Sequence, residues 1–110
     1  MMQPLEGARV LTLDAGTAGV YAGHVLARFG AEVTVVEPPG GDPIRRLAPF
    51  PGDVPNRETG GWWLFLAAGL RSVTLDLRSA SARRLLDRSR ADVILTPPED
   101  APLFPGRGVV

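Results

Sequence analysis

Between Ala8 and Val36 the chain sets two short runs of branched apolar residues on either side of one amphipathic stretch, and few folds satisfy that order. Ala8-Arg-Val-Leu-Thr-Leu13, bounded by Gly7 and Asp14, has the length and composition of a buried parallel strand, and so does Glu32-Val-Thr-Val-Val36. Between them Ala18, Tyr21, Ala22, Val25, Leu26 and Phe29 recur at spacings of three and four, which predicts one apolar helix face, and Gly30 stands where a left-handed cap would close the helix. A strand, a helix and a strand over so short a span make a βαβ unit, whose strands lie parallel and whose connection is right-handed.

The remaining elements extend that unit. Pro38 to Gly61 is dense in Pro, Gly and Asp and has no period, so it reads as a long loop. Trp62-Trp-Leu-Phe-Leu-Ala-Ala68, followed by Gly69, reads as a short buried helix. Ser72 to Leu77 alternates as a strand does. Ser79 is placed to cap a helix running through Arg90, packed by Ala82, Leu85 and Leu86, and Asp92-Val-Ile-Leu95 is a fourth strand. The expected fold is α/β: a Rossmann-like parallel sheet with flanking helices in the order β-α-β-α-β-α-β, occupying residues 1–95. From 96 to 110 the chain reads as a Pro/Gly-rich tail or linker, with four prolines between positions 97 and 106.

Composition narrows the partners. With 110 residues the chain makes one domain, and its 12 basic and 12 acidic residues are intermixed, leaving no basic stripe for nucleic acid. All the basic residues are arginine. The absence of cysteine removes disulfides, zinc-thiolate sites and thiol nucleophiles together and fits a reducing compartment. No charged-then-apolar leader pattern and no apolar run near the ~18 residues of a membrane span are present, so a cytoplasmic protein with no membrane partner is expected.

One turn invites a ligand. Asp14-Ala-Gly-Thr-Ala-Gly-Val20 leads from the first strand into the first helix, but its Gly-x-x-Gly spacing lacks the paired glycines of a dinucleotide fingerprint. A glycine turn at a helix N-terminus exposes backbone N–H groups suited to an anion; equally, Gly16 and Gly19 serve to make the turn and let helix and sheet approach. His24 has no partner visible for a dyad or metal site and reads as a packed or half-exposed histidine; no metal ligands are identified.

Three blocks, Pro4-Leu-Glu-Gly-Ala-Arg-Val-Leu11, Val33-Thr-Val-Val-Glu-Pro-Pro-Gly-Gly-Asp-Pro-Ile-Arg45 and Gly69-Leu-Arg-Ser-Val-Thr-Leu-Asp-Leu77, occur in the order and near the spacing of the N-terminal segment of the family III CoA-transferases. The resemblance runs from about Pro4 to Leu95. It implies that the turn Asp14, Ala15, Gly16, Thr17 and Ala18 wraps the pantetheine and phosphate arm of coenzyme A, largely through backbone, and that Arg45 and Arg71 supply charge. The ligand it implies is coenzyme A or an acyl-CoA, with no covalently bound cofactor. Thr17 stands where oxalate-using members carry glutamine, Leu70 replaces a lysine of the usual Asn-x-x-Lys-Arg-Ser motif, and Thr96-Pro-Pro-Glu-Asp-Ala101 replaces Glu-Asn-Phe-Arg-Pro-Gly. The family's catalytic aspartate lies downstream of the segment matched, so no catalytic residue is assigned, and Asp14, Asp42, Asp53, Asp76, Asp87 and Asp92 read as turn, strand and surface residues. The expectation is a CoA-binding-type segment of such an enzyme, inactive alone; the alternative is a degenerate module that assembles with a full-length CoA-transferase. Trp62, Trp63 and Phe65 read as core or as a dimer contact, so self-association or a partner chain is expected.

Overall fold

The computed structural model describes residues 2–13, 16–103 and 108–109. Among the described residues, β1 (Arg9–Leu13), β2 (Glu32–Glu37), β3 (Arg71–Thr74) and β4 (Val93–Leu95) and three α-helices, α1 (Gly16–Arg28), α2 (Gly61–Leu66) and α3 (Ala80–Arg88), follow the expected alternation, and a fifth strand, β5 (Gly108–Val109), lies beyond it. The sheet order is β3-β2-β1-β4-β5 and every pairing is parallel. Arg9 lies opposite Glu32 and Leu13 opposite Val36, while Leu11 faces Ile94 on its other side. Central β1 and β2 are buried along almost their whole length, which is why they carry branched apolar residues without alternation.

The core divides by sheet face. On one side Leu11, Leu13, Val36 and Ile94 pack with Leu86 of α3 and Ala91. On the other, Val10, Val33 and Leu95 meet Ala22, Leu26 and Ala27 of α1, and a neighbouring cluster joins Val20, Val35, Ile44, Trp63 and Leu66.

Helix α1 sits on the sheet by a different face from the one its large apolar residues define. Val20, Gly23 and His24 are its buried residues, whereas Tyr21 and Phe29 are half exposed and Ala18 is exposed. Gly23 is the reason: a Cβ there would stand 2.9 Å from Cγ1 of Val33 and 3.2 Å from Cγ2 of Thr12, so the helix approaches the strands where it has no side chain. An apolar-period reading gives glycine no weight and rotates the face away from it. Leu85 likewise turns outward, leaving Ala82 and Leu86 as the buried residues of α3.

The caps behave as their chemistry requires. Gly30 takes φ 104° after α1, and the Ser79 hydroxyl accepts from the Ala82 N–H at 3.1 Å. Strand β3 is shorter than the alternation of 72–77 suggests, because the Asp76 carboxylate accepts from the Arg78 N–H at 3.0 Å and bends the chain; all four strand residues are exposed. Within the long loop two 3-10 turns form, Pro43–Arg46 and Pro51–Asp53. Within the stretch read as a tail, residues Pro98–Leu103 form a further 3-10 turn and β5 adds a short strand at the sheet's margin.

Candidate functional site

Strand β1 has β2 on one side and β4 on the other, so the chain order reverses at β1, and the crevice outside the carboxyl ends there is where sheets of this kind receive ligands. Asp14 and Ala15 lie outside the described residues. Gly16 follows with φ 64° and open space where a Cβ would be, and it opens α1, with Thr17 and Ala18 exposed in the first turn. The unpaired N–H groups of that turn and the positive end of the helix dipole face whatever occupies the crevice. Beside it, Thr96 follows β4 directly and is buried at 4% exposure, and its hydroxyl has no hydrogen-bond partner among the described residues.

At the end of β2 stands a buried carboxylate. The Glu37 side chain is 2% exposed and receives Nε of Arg45 at 2.6 Å, Nη2 of Arg45 at 2.9 Å, the Asp42 N–H at 2.7 Å and the Ser72 hydroxyl. Burial alone would raise its pKa, but the Arg45, Asp42 and Ser72 hydrogen bonds and the Arg45 charge together outweigh it and hold the carboxyl at about 2. The Arg45 guanidinium lies 3.7 Å from the centroid of the Trp63 ring and also donates to the Arg57 carbonyl at 3.0 Å. Asp42 caps the following turn by accepting from Ile44 N–H at 2.9 Å. Ile44 then packs into the cluster with Val20, which fastens the long loop against the first half of α1.

The expected site residues are therefore distributed. Gly16, Thr17 and Ala18 stand together at the carboxyl edge, and Arg45 is tied to Glu37 on the neighbouring strand. Arg71 begins β3 opposite Thr34, its guanidinium 77% exposed and 3.7 Å from Glu32, the first residue of β2. It thus faces the amino side of the sheet, away from the turn. His24 is buried, its Nδ1 3.2 Å from the Leu66 carbonyl and its ring 5.2 Å from that of Phe65. The aromatic pair separates: Trp63 is buried under Arg45, whereas Trp62 is 47% exposed. Two features escaped the sequence reading, the burial of Glu37 and its tie to Arg45. Their signal was an acid ending a valine-rich strand with an arginine eight residues on.

A parallel sheet with its order reversal beside a glycine turn defines a doubly wound α/β domain. The family model described as CoA-transferase family III matches residues 5–100, and the chain belongs to this family. It is 44% identical over 89 residues to the succinyl-CoA--D-citramalate CoA-transferase of Chloroflexus aurantiacus, covering 78% of this chain and 21% of that protein. It is 41% identical over 96 residues to the succinyl-CoA:mesaconate CoA-transferase of Haloarcula hispanica, covering 86% of this chain and 24% of that one. Among solved structures, Rv3272 from Mycobacterium tuberculosis superposes with a TM-score of 0.73 at 37% identity, over 92% of this chain and 29% of that one. The chain thus spans between a fifth and a third of these relatives' lengths.

Proposed function

We propose that this chain is the coenzyme A-binding N-terminal segment of a CoA-transferase that moves CoA between carboxylic acids, and that it does not catalyse transfer alone. The observation that supports the reading most is the glycine turn at the carboxyl edge of β1, with Gly16 left-handed and the first turn of α1 open, in a chain of this family. The backbone from Asp14 to Ala18 would hold the pantetheine and phosphate arm. Arg45, matched by Glu37, would set the shape of the loop, while Arg71, on the amino side of the sheet, would take no part in holding the phosphates at this turn. A cytoplasmic setting belongs to the same reading.

The carboxylates support inactivity. Glu37 and Asp42 are locked in the loop network, Asp76 is paired with Arg78, and Asp92 accepts from the Arg9 N–H at 2.8 Å, so none of these is free to attack a thioester carbonyl. Titration of labelled protein with CoA should shift amides at Gly16 to Ala18, and pure protein given succinyl-CoA with citramalate or mesaconate should show no turnover. Turnover abolished by one Asp→Ala change in the chain, or no CoA shifts at millimolar concentration, would overturn the reading.

A second reading, an assembly module, draws on one observation. Tyr21, Phe29, Trp62, Leu64 and Phe65 are exposed large apolar residues on or beside α1 and α2. A chain that pairs through them with itself or with a CoA-transferase partner would cover that surface.

A further inference from the structure

We propose that the cleft lined by Arg45, Arg46, Phe50, Pro55, Asn56 and Arg57 is a carboxylate subsite, in which Arg46 and Arg57 hold the free carboxylate of a dicarboxylic acyl group. The substrate class rests on the family reading above. The cleft, of about 260 Å³, is assembled by the long loop around Arg45. By donating from Nη1 to the Arg57 carbonyl at 3.0 Å, Arg45 fixes the backbone of residue 57 beside its own. Its charge is answered by Glu37, and by Glu58 at 3.5 Å.

Arg46 and Arg57 are different. Among the described residues neither guanidinium has a hydrogen bond or an ion pair. Both are exposed on the lining of one hollow, where each can offer a planar fork to a carboxylate. Asn56 accepts the Glu58 N–H through its oxygen at 2.8 Å, which leaves its amide NH2 to donate. Phe50 and Pro55 give the cleft apolar walls suited to a short hydrocarbon chain.

Its position agrees with this role. Ile44, next to the arginines, shares a buried cluster with Val20 of α1, so the cleft is anchored to the helix that carries the Gly16 to Ala18 turn. When one carboxyl of a diacid is bound as a thioester, the other remains ionised. A site that handles such acyl groups needs a cation for it, and a site for monocarboxylic acyl groups does not.

The test uses monomethyl succinate, whose ester stands for the thioester and whose other end is a free carboxylate, and dimethyl succinate, which has none. Both are titrated into labelled protein at constant ionic strength, alongside CoA and 3′-phosphoadenosine 5′-phosphate. Monomethyl succinate should shift Phe50, Asn56 and Arg57 saturably and dimethyl succinate should not. The double variant Arg46→Gln/Arg57→Gln should weaken the interaction roughly tenfold or more, the scale of losing charge-assisted pairs. Arg57→Gln alone should weaken it several-fold, which keeps the test available if the double variant does not fold. CoA shifts at Gly16 to Ala18 should persist in both variants. Persistent CoA shifts without a response to monomethyl succinate overturn the subsite alone, whereas absence of all CoA shifts from the wild-type chain overturns the CoA-binding reading beneath it. A stronger response of the same residues to 3′-phosphoadenosine 5′-phosphate also overturns the carboxylate assignment, making the cleft a nucleotide phosphate site.

Discussion

At the scale of single residues, Glu37 decides more than any other side chain described. It is a charge placed in a core, tolerable because four donors meet it, two of them on the Arg45 guanidinium. Replacing it by glutamine leaves Arg45 without its counter-charge, and we expect Glu37→Gln to lose about 3 kcal/mol in denaturant unfolding, the scale of breaking a largely buried pair. The pH dependence has a defined sign. The folded carboxyl titrates at about 2 against an ordinary value of 4.5, so its contribution is complete above about 4.5 and disappears as pH falls through the interval down to about 2. Over that interval wild type should lose roughly 3 kcal/mol that the Glu37→Gln protein has already lost, and parallel acid titrations of the two would test it. Arg71→Ala should change stability by less than ~0.5 kcal/mol, because its pairing with Glu32 is long and exposed, and CoA shifts at Gly16 to Ala18 should persist in that variant, because Arg71 stands on the amino side of the sheet.

Among the elements, α1 shows what the sequence could and could not convey. Strands β1 and β2 were legible because each is buried on both faces and so spells out its burial in Val and Leu; Ser79 and Gly30 were legible because a cap needs one residue with one geometry. The helix face was not, since Gly23 acts through the absence of a side chain and Tyr21 and Phe29 place large apolar groups toward solvent. The turn at the end of β1 was readable from its glycines, Gly16 and Gly19, three positions apart between strand and helix. The site's buried pair was not, because the Glu37 to Arg45 contact depends on how a loop without period returns to the sheet. Gly23 yields a prediction against the usual trend. In an exposed helix Gly→Ala gains about 1 kcal/mol, but here the added methyl meets two β-branched side chains held in the sheet. Gly23→Ala should therefore destabilise, by about 1 to 3 kcal/mol, visible as a lower thermal midpoint.

For the whole molecule, the two tryptophans separate stability from association. Trp63 lies in the cluster with Val20, Val35, Ile44 and Leu66, under the Arg45 guanidinium, and Trp63→Ala should cost about 3 to 5 kcal/mol. Trp62, like Leu64 and Phe65, is exposed, so Trp62→Ala should leave the fold intact. If that surface is an interface, Trp62→Ala shifts sedimentation toward monomer. A wild-type chain already monomeric at high concentration, with Trp62 open to a fluorescence quencher and no partner chain recovered, would remove the assembly reading.

The tether between Glu37 and Arg45 also changes what kind of segment residues 38–60 form. A stretch rich in proline and glycine is expected to exchange its amide protons freely, opening by small local fluctuations. Here Asp42 N–H is held by Glu37, Ile44 N–H by Asp42 and Gly61 N–H by the Pro49 carbonyl at 2.8 Å, with Ile44 buried in the core. Releasing these protons requires breaking the tether and opening the cluster beneath it. In native-state exchange the amides of Asp42, Ile44 and Gly61 should be protected to nearly the same free energy as those of β2, while Gly52 and Asn56 exchange at once. The loop's anchor points then belong to the same cooperative unit as the sheet.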